Sequence, residues 1–391
     1  MSATTKVDWP VGIKEIINRQ SFLERLATGR PLRVKWGIDP TSADLHLGHG
    51  AVLRVLRWFQ DQGHQVMVVI GDFTAGIGDP SGVNVTRPIL TRAEISANLT
   101  DYFDQLGRVL DMNRLELVHN RDWLASMTLA DFLALSMKIS LNSLTERQDF
   151  RDRLKNHQSV GLHEVLYAII QAADSVHLQA DVEVGGEDQL LNLLTGRELQ
   201  GKLGQKPQEI VLVKLLVGTD GIKKMSKSAG NVIPLKGPAD QMFGQIMSMP
   251  DSAIVAYAEL GAGLSPKSIK GLPKHPKEAK EEVATQIVAN YFSVPAAEEA
   301  LKRFQAVYGR KDPANQAQLA VEIALGDPNP FAWSLVSVCA EVSGMAARRL
   351  ISQKAVKLNG RGLTNFQEKL TLKSDDILQI GRHRFFRLRV R

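Results

Sequence analysis

Two histidines three residues apart, His46 and His49, stand where the chain turns from a short strand, Arg33 to Ile38, into a helical pattern carried by Leu47, Ala51, Leu53, Leu56, Trp58 and Phe59. At that spacing both imidazoles fall on one face of a helix's first turn, beside unpaired backbone N–H groups and the positive end of the helix dipole. Such a turn is a seat for phosphate. Gly48, between them, removes a side chain where a flat ring could approach the helix backbone. Far downstream, Lys224-Met-Ser-Lys-Ser228 sets two lysines and two serines between Asp220-Gly221 and Gly230. Cations and hydroxyls on a flexible loop suit a lid that closes on pyrophosphate, moves during reaction and reopens. A third group, Tyr167, Gln171 and Asp174, falls at i, i+4 and i+7 on a helix read from Gly161 to His177. It offers a hydroxyl, an amide and a carboxylate, and its spacing alone fits a polar outer face as well as a binding face.

These groups need a scaffold, and the pattern supplies one. Arg33–Ile38 reads as a short strand, and Gln65–Ile70 is a near-continuous apolar run suited to a buried parallel strand. The second runs into the glycine-rich stretch Gly71–Gly82, where a doubly wound sheet binds ligands, although the lysine and spacing of a phosphate loop are missing. A helix from about Thr91 to Leu110, a strand near Leu115 to His119 and a helix near Leu129 to Lys138 continue the alternation. A strand over Asp181–Val184 leads into Gly185-Gly-Glu-Asp-Gln189 and a helix to Leu199, and Ile210–Val217 is the strand before the lysine loop. The expected fold class is therefore α/β, a doubly wound parallel sheet forming a nucleotide-binding catalytic domain over residues 1–234, with a charged insertion at about 139–158. Residues 235–312 carry helical patterns only and read as an α-helical domain. The proline-bearing stretch 313–331 reads as a linker, and 332–391 as a small α+β unit with hairpin-like alternation at Val356–Gly360 and Leu378–Phe386.

Composition narrows the setting. At 391 residues the chain can bury more than one core, and no apolar run reaches the roughly eighteen residues of a membrane span. The start, Met1–Gly29, reads as amphipathic without a signal peptide's apolar centre. The single Cys339 excludes an internal disulfide and a cysteine zinc site, so the cytoplasm is the expected location. Of the net charge of +6, the residues from Ala332 onward contribute +8, from 12 Lys/Arg against 4 Asp/Glu, leaving −2 for the rest. A folded polyanion-binding unit at the C-terminal end accounts for that excess.

Asp39-Pro-Thr with His46-Leu-Gly-His49, followed by an unaltered Lys224-Met-Ser-Lys-Ser228, resembles the paired signatures of class I aminoacyl-tRNA synthetases, in the form used by the tyrosyl and tryptophanyl families. The Tyr167, Gln171 and Asp174 spacing is similar to the amino-acid pocket of bacterial-type tyrosyl-tRNA synthetases, and the likeness runs from about Leu32 to Arg391. The resemblance implies a Rossmann-like catalytic domain, an anticodon-side helical domain, and a C-terminal RNA-binding domain like one shared with a ribosomal small-subunit protein and some pseudouridine synthases. It implies ATP with magnesium, L-tyrosine and tRNA(Tyr) as substrates, a homodimer with the insertion at its interface, and no membrane partner. Carried over residue by residue, it gives catalytic roles to Thr41, His46, His49, Lys224 and Lys227. Gly37, Asp39, His46, Gly48, His49, Gly186, Asp188 and Lys227 would bind ATP, with Gly186 and Asp188 at the ribose. Tyr167, Gln171 and Asp79 would hold the tyrosine ammonium, Asp174 the phenol and Gln189 the carboxyl. Arg348, Arg349, Arg382, Arg384 and Arg387 would contact RNA phosphates. No residue cluster suggests a dedicated metal site.

Two positions depart from the family pattern. Lys35 stands where many members have a tyrosine that gives the phenol a second partner, and Val83 replaces a frequent lysine, with Arg87 nearby. The sister tryptophanyl enzyme is disfavoured by Asp174 and by the C-terminal basic unit. A small-molecule nucleotidyltransferase leaves the helical and basic regions unexplained, and a non-catalytic RNA-binding paralogue has no need of intact histidine and lysine signatures.

Overall fold

The computed structural model describes residues 7–40, 44–77, 101–146, 148–227, 229–308, 321–340, 342–381 and 384–390. They fall into two compact units, Met1–Glu298 and Glu299–Arg391. The first is built on a six-stranded sheet: β1 (Ile13–Ile17), β2 (Arg33–Ile38), β3 (Gln65–Ile70), β4 (Leu115–His119), β5 (Val182–Gly186) and β6 (Glu209–Val213). Its order is β1-β6-β5-β2-β3-β4. All neighbours pair in parallel except β1, which runs antiparallel to β6. Val34, Val66, Val68, Ile70, Val182, Ile210 and Val213 are fully buried, which is why these strands read as continuous apolar runs rather than as alternations.

From β2 the chain winds outward through helix α2 (Leu47–Asp61) to β3 and β4, then returns to the other side of β2 with β5 and β6. Helix α1 is Arg19–Ala27, and α3 (Leu162–Leu178) and α4 (Leu190–Lys202) flank β5. The reversal makes the crevice beyond the carboxyl ends of β2 and β5 the topological switch point, where open α/β sheets bind ligands. β2 and β5 pair only at Val34 with Val182 and at Lys35 with Glu183, and no ladder pairing joins them beyond these residues.

Three expectations change. The amphipathic start contains β1 and α1, held to the sheet by Arg25, which is 2% exposed and pairs with Asp181 and Glu209 at 3.0 Å each. Residues 235–298 share the compact unit of the sheet: Arg54 of α2 donates to the Gly261 carbonyl at 2.9 Å, and Gly50 lies so close to Tyr291 that an added Cβ would meet its hydroxyl at 1.8 Å. The insertion contains two short helices, Leu141–Thr145 and Gln148–Lys155.

The second unit holds a five-stranded sheet of order β7-β11-β10-β8-β9, formed by Val321–Leu325, Val356–Leu358, Arg361–Gly362, Ile377–Ile380 and Arg384–Val390. Helices Ala332–Ala340 and Gly344–Ser352 share its core through Leu335, Val336, Ala347 and Ile351. The stretch expected as a linker, 313–331, thus contains β7, an edge strand paired in parallel with β11. The alternation of Val321, Ile323 and Leu325 is a period-two signal that the surrounding prolines obscured.

Candidate active site

A cavity of about 300 Å³ opens at the switch point and is lined by His46, His49, Gly37, Asp39, Tyr167, Gln171, Asp174, Gly186, Asp188, Gln189 and Lys224. Residues far apart in sequence, chosen for their chemistry, therefore share one wall. His46 caps α2 in extended conformation, and its N–H donates to His49 Nδ1 at 3.2 Å while the His49 N–H donates to the His46 carbonyl at 2.8 Å. With Nδ1 accepting, a neutral His49 carries its proton on Nε2. The two rings lie 4.0 Å apart. Burial, then His49, Lys227 and Lys224, hold the His46 imidazole far below its usual range, and burial with Lys227 lowers His49 to about 4. Both are neutral donors at physiological pH. A Cβ on Gly48 would meet His46 Nδ1 at 2.9 Å, so the ring that approaches this backbone is the neighbouring histidine itself.

The side of the cavity formed by Tyr167 and Asp174 is a chain of hydrogen bonds. The Tyr167 hydroxyl donates to Asp39 Oδ2 at 2.9 Å, and the Thr74 hydroxyl to Asp39 Oδ1 at 2.6 Å. Gly71 makes room for this: a Cβ there would sit 1.9 Å from Asp39 Oδ1. Asp39, expected with the nucleotide, is thereby tied to the tyrosine of the pocket helix. Asn120 donates to Thr74 at 3.1 Å and reaches Asp174 Oδ2 at 3.4 Å, while Trp123 Nε1 donates to Asp174 Oδ1 at 2.8 Å. Burial raises the Asp174 carboxyl to about 6, opposed by the charge of Lys35 and by these two donors. Lys35 does not line the cavity. It lies 2.8 Å from Glu183 Oε1. Thr74, Asn120, Trp123 and Glu183 escaped the sequence reading, although Asn120 directly follows β4 at the carboxyl end of a sheet strand.

The lysine loop is anchored at its start. Met225 N–H donates to the Leu216 carbonyl at 2.8 Å, and Asn231 accepts the Ser226 N–H at 2.9 Å while donating to Asp220 at 2.8 Å. Ile233–Leu235 then pairs with Leu45–Leu47, through Leu47 N–H to Ile233 at 2.8 Å and Leu235 N–H to Leu45 at 2.9 Å. The segment just after the loop is thus joined to the one just before the histidines. Lys224 Nζ lies 2.8 Å from Asp188 Oδ2, and Lys227 is exposed. Gly186 leaves space for the Asp188 carboxylate, which an added Cβ would meet at 2.6 Å. The Gln189 amide oxygen accepts from Asn192 at 2.8 Å. Thr41, Asp79, Ser228, Val83 and Arg87 lie outside the described residues.

In the second unit Arg348 and Arg349 are exposed on helix Gly344–Ser352, with the Arg348 guanidinium 4.9 Å from the Trp333 ring centre and 5.7 Å from that of Phe366. Arg387 lies 4.0 Å from Asp375. Arg382 and the side chain of Arg384 lie outside the described residues.

Similarity to known proteins extends over both units. The family model for class I tRNA synthetases (W and Y) matches residues 27–309. The chain is 39% identical over 389 residues to the tyrosine–tRNA ligase of Moorella thermoacetica, covering 96% of this chain and 94% of that one. It is 41% identical to that of Idiomarina loihiensis, covering 96% of both. Among solved structures, the fold is similar to the tyrosyl-tRNA synthetase of Archaeoglobus fulgidus complexed with L-tyrosine, with TM-score 0.60 and 23% identity over 75% of this chain and 97% of that one. The mitochondrial tyrosyl-tRNA synthetase of Aspergillus nidulans is alike at TM-score 0.60 and 19% identity, over 76% of this chain and 91% of that one. With the histidine turn, the lysine loop and the buried carboxylate facing one cavity, the chain belongs to the class I tRNA synthetases, in the bacterial-type tyrosyl-tRNA synthetase family.

Proposed function

We propose that the chain activates L-tyrosine with ATP and transfers it to the 3′ end of tRNA(Tyr). The observation that carries this reading is Asp174, a carboxylate 3% exposed that lines the same cavity as the histidine pair and Lys224. A buried acceptor of this kind suits a phenol hydroxyl, and it penalises phenylalanine because the analogue leaves the carboxylate unsatisfied. The tyrosine–tRNA ligases that match nearly the whole chain at 39–41% identity disfavour the tryptophanyl reading.

In the first step the tyrosine carboxylate attacks the α-phosphorus of ATP and pyrophosphate leaves. In the second a ribose hydroxyl of the terminal adenosine attacks the adenylate carbonyl and AMP leaves. The attacking carboxylate is already ionised at neutral pH, so the first step needs no general base. The protein's contribution is placement and stabilisation of charge. Tyr167, Gln171 and Asp79 hold the ammonium, Asp174 the phenol and Gln189 the carboxyl. Gly186 and Asp188 hold the ribose, with Gly37, Asp39 and Gly48 beside the nucleotide. His46, His49, Thr41, Lys224 and Lys227 donate to phosphate oxygens, more strongly as negative charge develops on them. Magnesium enters with ATP as part of the substrate. Among the described residues no group of three or more His, Cys, Asp or Glu side chains forms a metal site.

Arg348, Arg349, Arg382, Arg384 and Arg387 give the C-terminal unit its contacts to tRNA phosphates. Leu129, Leu133, Met137, Leu141 and Leu162 are each more than half exposed, supporting a second copy of the chain as the partner that covers them. Among the described residues no helix is long and apolar enough to cross a membrane, and the reading places the enzyme in the cytoplasm.

The test is amino-acid-dependent exchange of labelled pyrophosphate into ATP with tyrosine, tryptophan and phenylalanine, followed by charging of tRNA(Tyr). Exchange with tyrosine alone is expected. Exchange driven by tryptophan moves the chain to the sister specificity, and exchange with none of the three leaves an RNA-binding role.

A further inference from the structure

Bordering the amino-acid pocket is an ion pair that the reaction scheme leaves unused, with Glu183 lining the cavity and Lys35 outside the lining. Lys35 of β2 and Glu183 of β5 are register partners in the last paired position of the two strands, and they are 0% and 1% exposed. Two buried charges cost more in lost hydration than their attraction returns unless hydrogen bonds satisfy what remains. Here those bonds all lead to one helix or its supports. Lys35 Nζ donates to Ser175 Oγ at 2.7 Å and to the Gln171 carbonyl at 3.3 Å. Glu183 accepts the Gln171 side-chain amide at 3.2 Å, the Ser175 hydroxyl at 2.9 Å, and the Gln208 amide. Gln171 and Ser175 lie either side of Asp174 on α3, so the pair grips the pocket helix around its carboxylate. Packing alone would be served by apolar residues of similar volume.

We propose that the Lys35–Glu183 pair is the positioning element of the tyrosine pocket: Glu183 fixes the Gln171 amide for the substrate ammonium, and Lys35 holds α3 and counters the charge of Asp174. The inference rests on the reading of Gln171 and Asp174 as tyrosine-binding. It also gives the departure at position 35 a physical role. A lysine outside the cavity lining replaces a tyrosine in the pocket, and Asn120 and Trp123 are the donors that Asp174 retains. Around Asp174 the charged groups of the strands are Lys35 and Glu183, with Asp39 linked through Thr74 and Asn120. From the segment after β4 the partners Asn120 and Trp123 are neutral, and His177 of α3 stacks on Trp123 at 4.4 Å.

The experiment measures tyrosine-dependent pyrophosphate exchange from pH 5 to 8 for Lys35→Met, Glu183→Gln and the double variant, with melting curves to establish folding. The expected result is a KM for tyrosine raised roughly tenfold or more in all three, the equivalent of one lost hydrogen bond to a charged group, with the KM for ATP unchanged. The acid midpoint of tyrosine affinity rises in Lys35→Met and falls in Glu183→Gln, a shift that loss of packing does not produce. A folded double variant with wild-type KM, or folded single variants whose midpoints do not move, overturns the proposal. If the double variant does not fold, Glu183→Asp decides, since it keeps the charge but withdraws it from Gln171; an unchanged KM for tyrosine there is equally fatal. Gln171→Ala and Asp174→Asn are run alongside. Wild-type tyrosine affinity in those two overturns the pocket reading and this inference with it, whereas normal behaviour confined to the Lys35 and Glu183 variants overturns the inference alone.

Discussion

Lowering the pH from 7.5 to 5 should loosen tyrosine selectivity through one residue. Burial lifts the Asp174 carboxyl from the ordinary 3.8 to about 6, against the opposing pull of Lys35, Trp123 and Asn120. The charged form is the one that accepts the phenol proton strongly, and it is lost as pH falls through that value. At pH 5 about one molecule in eleven retains it, so the dissociation constant for tyrosine should rise about tenfold across the range. Phenylalanine should move the other way, because a neutral carboxyl beside its ring costs less than an unpaired carboxylate. The histidines do not confuse the titration, since His49 is held at about 4 and His46 lower still.

Stability carries the opposite sign. A carboxyl whose folded value lies above its unfolded one is costly when ionised, by about 3 kcal/mol for a shift of this size, and that cost is relieved as pH falls from about 6 toward 4. Asp174→Asn should flatten the tyrosine profile and remove this relief. Equilibrium binding of tyrosine and phenylalanine without ATP, from pH 5 to 8, avoids titration of the nucleotide. A flat wild-type profile, or a midpoint that persists in Asp174→Asn, refutes the reasoning.

Gly48→Ala places a Cβ 2.9 Å from His46 Nδ1 and should cut the exchange kcat by roughly a hundredfold with little change in tyrosine KM, as stopped-flow and exchange assays can separate. Gly71→Ala drives a methyl group to 1.9 Å from Asp39 Oδ1 and 2.4 Å from Thr74 Oγ1; it should raise tyrosine KM and lower stability by about 1–3 kcal/mol in denaturant titrations. Arg348→Ala with Arg349→Ala should weaken tRNA charging through KM and reduce the salt slope of tRNA binding by about 2, leaving pyrophosphate exchange untouched.

What the sequence disclosed follows from how each signal is generated. Gln65–Ile70 matches observed β3 because burial on both faces writes an apolar run, while Arg33–Ile38 and the half-buried Leu115–His119 match β2 and β4 with charged residues among their apolar ones. β1 and β7 stayed hidden because each is placed by pairing with a strand hundreds or tens of residues away, inside stretches whose amphipathic or proline-bearing pattern masked the strand signal. The site divides likewise. His46, His49 and the lysine loop are local clusters, and Tyr167, Gln171 and Asp174 share one helix. Asn120, Trp123, Thr74 and Glu183 acquire meaning only when the sheet brings β4, β3 and β5 around α3, and nothing in their neighbours' spacing announces that meeting.

The two signatures also differ in what they must do, and their supports differ to match. The histidines sit on the first turn of a buried helix, tied to each other by backbone and ring nitrogen, so their donors are fixed before substrate arrives. Being neutral, they avoid adding full positive charge that would hold ground-state ATP as firmly as the transition state. Lys224 and Lys227 carry that charge, and a fixed cation would share the fault. The loop is instead pinned on its entering side by Asn231 and Leu216 and on its leaving side by the pairing of Ile233–Leu235 with Leu45–Leu47, with Lys227 exposed between the anchors. Because that second anchor ends where the histidine turn begins, movement of the loop is measured from the same backbone that holds the fixed donors. Under the proposed function, this arrangement is what would let the cation withdraw for product release and return in register with His46 and His49, the requirement of a reaction whose leaving group is highly charged.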